Sequence, residues 1–261
     1  YHWPVIGYMP DIAAATLDDV RDFFATHYAP NNAVLTLAGD FDPTAALDRV
    51  DTWFGNIPSG RPRPAVSLPA TVHAVSREVM RDRVQLSRVY LAYRAPAYGQ
   101  REWYAGALLA LALAGGKAAP MFQDLVYRRE LAQDVGIYLY PTELEAMLLV
   151  VGTAKPGVEP AALEAALRQH IASATAVPLP DETIDRVRRR LLTAACSELE
   201  SLDSRAEMLS QATTFFGDPG AHRRELEIYA SLDANEIQSF AARHLGSTDP
   251  AVLHVIPEEA A

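Results

Sequence analysis

Leu17, Val20, Phe23, Phe24 and Tyr28 recur at the spacing that gathers apolar side chains on one face of a helix. Thr16 ahead of them is a good N-cap, and Asp18 and Asp19 place carboxylates in the first turn, where the positive helix end favours them. Pro30-Asn31-Asn32 ends the helix and turns the chain. The apolar run Ala33 to Ala38 then reads as a short buried strand, closed by Gly39-Asp40. Pro43 to Phe54 predicts a second helix, with Pro43 suited to its first turn.

The pattern breaks at residues 58–69, where Pro58, Pro62, Pro64 and Pro69 disfavour both helix and central strand. An extended linker is the natural reading. Beyond it, Val72 to Met80 and Gln85 to Ala95 read as strands, and Glu102 to Leu113 as an apolar helix ending at Gly115-Gly116. Met121 to Arg129 predicts a short helix, and Val135 to Tyr140 with Ala146 to Thr153 a strand pair. Pro160 to Ala172 and Asp181 to Leu202 follow as helices, then two or three shorter ones to Leu245, and a final strand, Ala251 to Ile256. Strands and helices mix without strict βαβ alternation, which indicates an α+β fold.

The last of these segments repeats the first. Asp233 stands where Thr16 stands, Ile237 matches Val20, Phe240 matches Phe23, Leu245 matches Tyr28, and Ala251-Val252-Leu253 matches Ala33-Val34-Leu35. Two ordinary helix–turn–strand units could coincide in this way. If the repeat is real, a cap, an amphipathic helix and a strand close two similar domains, and the chain holds the tail of one and the whole of the next. The expected division is then 1–60 for the remnant, 61–71 for the Pro-rich linker and 72–261 for the complete second domain.

Composition adds mainly exclusions. The 261 residues carry 23 Lys plus Arg against 33 Asp plus Glu, a net charge of −10, which counts against nucleic-acid binding. A single cysteine, Cys196, excludes an internal disulfide or a multi-thiolate zinc site, and its helical setting suggests a small, buried, apolar role. No apolar run approaches the ~18–20 residues that span a bilayer. Tyr1-His2-Trp3-Pro4 lacks an initiator Met and any basic-then-apolar leader, so it reads as an internal position of a longer polypeptide.

The first 43 residues carry the most specific signal. Pro4-Val5-Ile6-Gly7, the capped helix ending in Tyr28-Ala29-Pro30-Asn31-Asn32, and the Gly39-Asp40 strand exit together resemble the M16 (pitrilysin/insulinase-like) zinc metallopeptidases. The likeness continues through Tyr90-Leu91-Ala92-Tyr93, Leu125-Val126-Tyr127, Ala132-Gln133-Asp134-Val135 and Gly217-Asp218-Pro219. It implies paired domains of the mitochondrial-processing-peptidase type, each a mixed, largely antiparallel sheet with helices on one face, enclosing a chamber for unfolded peptides. It also implies a periplasmic or secreted location and zinc in the full-length protein.

The family's chemistry rests on an inverted H-x-x-E-H motif, in which two histidines one helical turn apart and a downstream glutamate hold zinc, and the motif glutamate acts as general base. The seven histidines here, at positions 2, 27, 73, 170, 222, 244 and 254, include no pair four apart. The zinc site is therefore expected upstream of Tyr1, and this chain alone is expected neither to hold catalytic zinc nor to hydrolyse peptides. His27 and His254 read as helix-surface and strand-packing residues, Asp18/Asp19 and Glu143/Glu145 as helix-end and turn charges, and Arg186, Arg188, Arg189 and Arg190 as a solvated helix face beside Glu182 and Asp185.

Many relatives carry an Arg and a Tyr seven residues apart in the second domain, reaching the substrate across the chamber. Alignment on Leu125 and Leu131 puts Val126 and Gln133 at those positions, so the pair is absent. Gln133, Tyr127 and Arg128 become the candidate substrate contacts, with His2 a fourth from its closeness in sequence to the expected catalytic cleft. The resemblance thus implies the C-terminal portion of a zinc metalloendopeptidase that completes the chamber and binds extended peptide. The alternative is a non-catalytic partner or scaffold subunit of a two-chain assembly.

Overall fold

The computed structural model describes residues 4–62, 66 and 76–258. In chain order the elements are α1 (Met9–Ala14), α2 (Leu17–His27), α3 (Pro43–Phe54), β1 (Arg77–Asp82), β2 (Arg88–Ala95), α4 (Arg101–Ala114) and α5 (Pro120–Phe122), which runs on into a π-helical turn (Gln123–Arg128). Then come β3 (Ala132–Leu139), β4 (Ala146–Ala154), α6 (Pro160–Ala176), α7 (Asp181–Glu198), α8 (Leu202–Phe216), α9 (Ala221–Ser231), α10 (Ala234–Phe240) with a second π-helical turn (Ala241–Gly246), and β5 (Ala251–Pro257). The chain forms two compact units, one of residues 1–69 with 200–220 and one of 70–199 with 221–261.

The larger unit holds a five-stranded sheet in the order β1-β5-β2-β4-β3. Only the β1–β5 pair is parallel; β5–β2, β2–β4 and β4–β3 are antiparallel. Alternation along β2 sends Val89, Leu91, Tyr93 and Ala95 into the core. Their neighbours on β4, Leu148 and Val150, are fully buried with them. Helices α4, α6 and α10 cover this inner face. The architecture is α+β, as the element pattern predicts, and the sheet is mixed and largely antiparallel, as the resemblance implies.

Two glycines set the spacing of these layers. A Cβ on Gly106 of α4 would lie 2.5 Å from the fully buried Phe240 ring, and one on Gly152 of β4 would lie 3.1 Å from Leu163 of α6. The helices can approach only because those side chains are missing. The helix starts are equally specified. Asp233 accepts from the Glu236 N–H at 2.8 Å while the Glu236 carboxylate accepts from the Asp233 N–H at 3.1 Å, a reciprocal capping box at the start of α10.

The smaller unit opens on the same device. The Thr16 hydroxyl accepts from the Asp19 N–H at 3.2 Å, and the Asp19 carboxylate accepts from the Thr16 N–H at 2.8 Å. The two repeats therefore share a cap geometry, but their apolar faces differ in outcome. Ile237, Phe240 and Leu245 are buried, whereas Val20, Phe23 and Tyr28 are exposed. Asn31 ties the turn after α2 to the chain beyond α3, its side-chain oxygen accepting from the Gly60 N–H at 2.8 Å.

Several expectations are corrected. Residues 33–38 form no strand and are not buried: Val34, Leu35 and Leu37 are exposed, because no described strand lies beside them to complete a ladder. Cys196 is exposed; its neighbour Ala195 takes the inward position, about 100° away around the helix. The long helix predicted from Asp181 to Leu202 divides at residues 199–201, where the Ser201 hydroxyl accepts from the Ser204 N–H and starts α8.

Strand β1 begins at Arg77 and β2 at Arg88, later than the apolar runs suggest, and residues 72–75 lie outside the described residues with much of the 58–69 linker. Arg188 also leaves the expected solvated face. It is mostly covered, donating to the Tyr229 carbonyl at 3.1 Å and the Leu232 carbonyl at 2.6 Å while pairing with Asp185. Glu145 is no simple turn charge either, since it binds Arg94 at 2.6 Å.

Candidate functional site

The sequence-predicted contacts cluster around the start of β3, the strand that ends the sheet. Its inner side is laddered to β4, while its outer side meets no described strand. A register shift between Ala132 and Asp134 leaves Gln133 outside the pairing, on an exposed bulge at the head of this edge. Glu130, just before it, sits at φ 53°, a left-handed residue that reverses the chain from the π-helical turn into the strand.

Tyr127 and Arg128 lie on that turn, one element earlier. Tyr127 is exposed and packs edge-on against Phe122 at 5.4 Å. Arg128 is exposed and pairs with Asp124 one helical turn back at 3.4 Å. No hydrogen bond joins Tyr127, Arg128 and Gln133. Val126, at the position where relatives carry Arg, points into the core at 8% exposure. His2 lies outside the described residues.

Beside this edge runs the outer face of the sheet. Leu149 and Ala92 form one row across β4 and β2 with Tyr138 of β3, and Val151, Tyr90 and Leu253 form the next. These positions are half-buried, apart from the exposed Tyr138, and they are mainly apolar. Arg94 and Glu145 close the same face with their ion pair. A peptide laid along β3 would meet backbone donors and acceptors at the edge and this apolar surface alongside.

Four of the five described histidines meet a carboxylate. His170 bonds Asp124 at 3.0 Å, His244 bonds Glu102 at 3.0 Å, His254 bonds Glu164 at 2.8 Å, and His222 lies 3.4 Å from Glu225. His27 packs at a tilt against the Phe23 ring, with centroids 4.7 Å apart. Each described histidine faces a different carboxylate or ring, and among the described residues no three His, Cys, Asp or Glu side chains are grouped to hold a metal. Among the described residues, the histidines are not arranged to hold the zinc of a peptidase.

Sequence reasoning missed two buried polar clusters. Glu164 of α6 accepts from Arg77 at 2.6 and 2.9 Å, from Arg168 at 2.8 Å, and bonds His254. Burial opposes its ionisation, but hydrogen bonds from Arg77, Arg168 and His254 outweigh that and hold its carboxyl down to about 2. In the second cluster, Tyr98 and Tyr104 both donate to Glu225 of α9, and burial, reinforced by that carboxylate, raises both phenol pKa values. The only sequence signal was a charged pair, Glu164 and Arg168, on the apolar stripe of Leu163 and Leu167. Its partners are 87 and 90 residues away.

Comparison with known proteins supplies the frame. The family model described as "Peptidase M16 inactive domain" matches residues 14–191. "Zinc protease PqqE" of Helicobacter pylori is 28% identical over 168 residues, covering 63% of this chain and 38% of that protein. A crystal structure of a protease from Helicobacter pylori superposes with a TM-score of 0.84 at 20% identity, over 99% of this chain and 62% of that one. The structure of a peptidase M16 inactive domain from Pseudomonas fluorescens gives a TM-score of 0.84 at 17% identity, over 97% and 60%. The chain thus spans less than two thirds of each of these relatives. By the family-model match over most of its length, it belongs to the peptidase M16 family as an inactive-type domain.

Proposed function

We propose that this chain is the C-terminal, substrate-holding part of a zinc metalloendopeptidase, with residues 1–60 trailing from a first domain and 72–261 forming the second. In this reading it completes the substrate chamber and receives extended peptide along the β3 edge, where backbone pairing is indifferent to sequence. Gln133 offers a side-chain donor and acceptor at the bulge, and Tyr127 and Arg128 flank the approach. Hydrolysis is carried by a zinc site on polypeptide beyond this chain, on the same frame or a partner, and the assembly works in the periplasm or outside the cell.

The observation that carries the reading is the open edge of β3 beside a half-buried apolar face, in a chain of this family. The test begins with the coding sequence before Tyr1. An in-frame H-x-x-E-H, and chelator-sensitive cleavage of an unfolded peptide by the protein it encodes, are the expected results. Within that protein Gln133→Ala should raise KM about threefold, as for one neutral hydrogen bond, with kcat nearly unchanged. A start codon immediately before Tyr1, with no catalytic partner chain recovered alongside it, would overturn the proposal.

A further inference from the structure

A cavity of about 350 Å³ opens between the C-terminal half of α6, the second π-helical turn and residues 246–250, all in the larger unit. It is a fair size for a small ligand, at the lower end of the range for such pockets. Its floor is Tyr93 of β2, a core residue at 4% exposure. The ring is buried, and no hydrogen bond joins its hydroxyl to a described residue. Its pKa is raised by burial, with Arg168 opposing, so at neutral pH it is a neutral O–H donor.

Arg168 supplies the charge. Its Nε donates to Glu164 at 2.8 Å, and its Nη1 forms a looser ion pair with Asp249 at 3.8 Å, outside hydrogen-bond distance. The hydroxyls on the wall are spent as donors: Thr175 donates to the Ala172 carbonyl, Ser247 to that of Arg243 and Thr248 to that of His244. Among the lining side chains, the donors not already spent in a hydrogen bond are therefore the Nη groups of the guanidinium, with Asp249 as a loose ion partner, and the phenol. Glu164 behind the guanidinium and the four-fifths-exposed Asp249 on the rim offset much of its positive charge, which weighs against a phosphate dianion more than against a monoanion.

We propose that this cavity is a binding site for a small carboxylate, held by the Arg168 fork and the Tyr93 hydroxyl. The carboxylate can come from a free acid or from the C-terminus of a short peptide. The site lies behind the helix layer, is separate from the β3 edge, and does not depend on the peptidase reading.

The experiment is calorimetric titration of the 261-residue chain with N-acetyl-trialanine, its C-terminal amide, sodium acetate and inorganic phosphate. Millimolar binding of the free-acid peptide, at least tenfold weaker binding of the amide, and a five- to tenfold loss in Tyr93→Phe support a peptide terminus. Acetate binding as tightly as the peptide, with the same dependence on Tyr93, supports a free acid. Should Tyr93→Phe lose its near-ultraviolet circular dichroism, Ala172→Trp, at an exposed mouth position, must abolish binding instead. The proposal fails if amide and acid bind equally, if phosphate binds tighter than acetate, if neither acid binds at 20 mM (roughly the limit for so small a ligand), or if the substituted protein binds as well as the parent.

Discussion

At the scale of single residues, Glu164 does the most to bind distant parts of the chain. Its carboxylate joins Arg77 on β1, Arg168 on its own helix and His254 on β5, so one side chain links a sheet edge, the strand beside it and the helix covering both. Removing the charge leaves two arginines facing a neutral amide with a single accepting oxygen, and Glu164→Gln should destabilise the larger unit by about 3 kcal/mol in urea unfolding. The pH dependence has a fixed sign. The folded carboxyl sits at about 2, below its ordinary value of 4.5, so its contribution is full above 4.5 and is lost as pH falls toward 2. The parent protein should lose stability across that window, and Glu164→Gln should flatten the loss. A parent and variant with parallel acid-unfolding curves would show that Glu164 is not the titrating link.

At the scale of elements, the fit of α4 to α10 through a missing Cβ makes a second expectation. Alanine in place of Gly106 gains about 1 kcal/mol of helix propensity, but the new methyl would stand 2.5 Å from Phe240, which is wholly enclosed and has nowhere to move. Overpacking should win, with Gly106→Ala lowering stability by about 1–2 kcal/mol and Gly106→Ala/Phe240→Leu recovering most of it. Asp233→Ala should cost about 1 kcal/mol by opening the capping box of α10. Thermal unfolding monitored by circular dichroism reads all three.

These elements also show what the sequence made legible. Helices α2, α3, α4 and α6 announced themselves through caps, prolines and apolar spacing, all of which are local. Residues 33–38 carry as good a strand pattern as β5, yet only β5 is a strand, because a ladder depends on neighbours that local pattern does not reveal. The same limit hid the Glu164 network and the Tyr93 cavity, whose partners come from separate elements. The β3 edge was half legible: the motif around Gln133 marked the region, but the bulge and the inward turn of Val126 depend on register with β4.

At the scale of the molecule, the two copies of the capped helix make an internal control. Phe240 in the larger unit is fully buried, while its counterpart Phe23 in the smaller is 54% exposed, and Trp53 of α3 is 76% exposed. Phe24 and Leu35 extend the same apolar exposure. Burying a side chain of this size is worth roughly 1.5–3 kcal/mol, so several left open together favour association with any apolar surface that fits. The isolated chain should therefore self-associate as its concentration rises and bind an apolar dye. Phe23→Ser/Trp53→Ser should suppress both while leaving the urea midpoint of the larger unit unchanged, because neither side chain belongs to its core. Sedimentation velocity against concentration is the measurement. If the substituted chain associates as strongly as the parent, the attraction lies elsewhere, and the half-buried outer face of the sheet, with Tyr90, Leu149 and Val151, becomes the surface to substitute next.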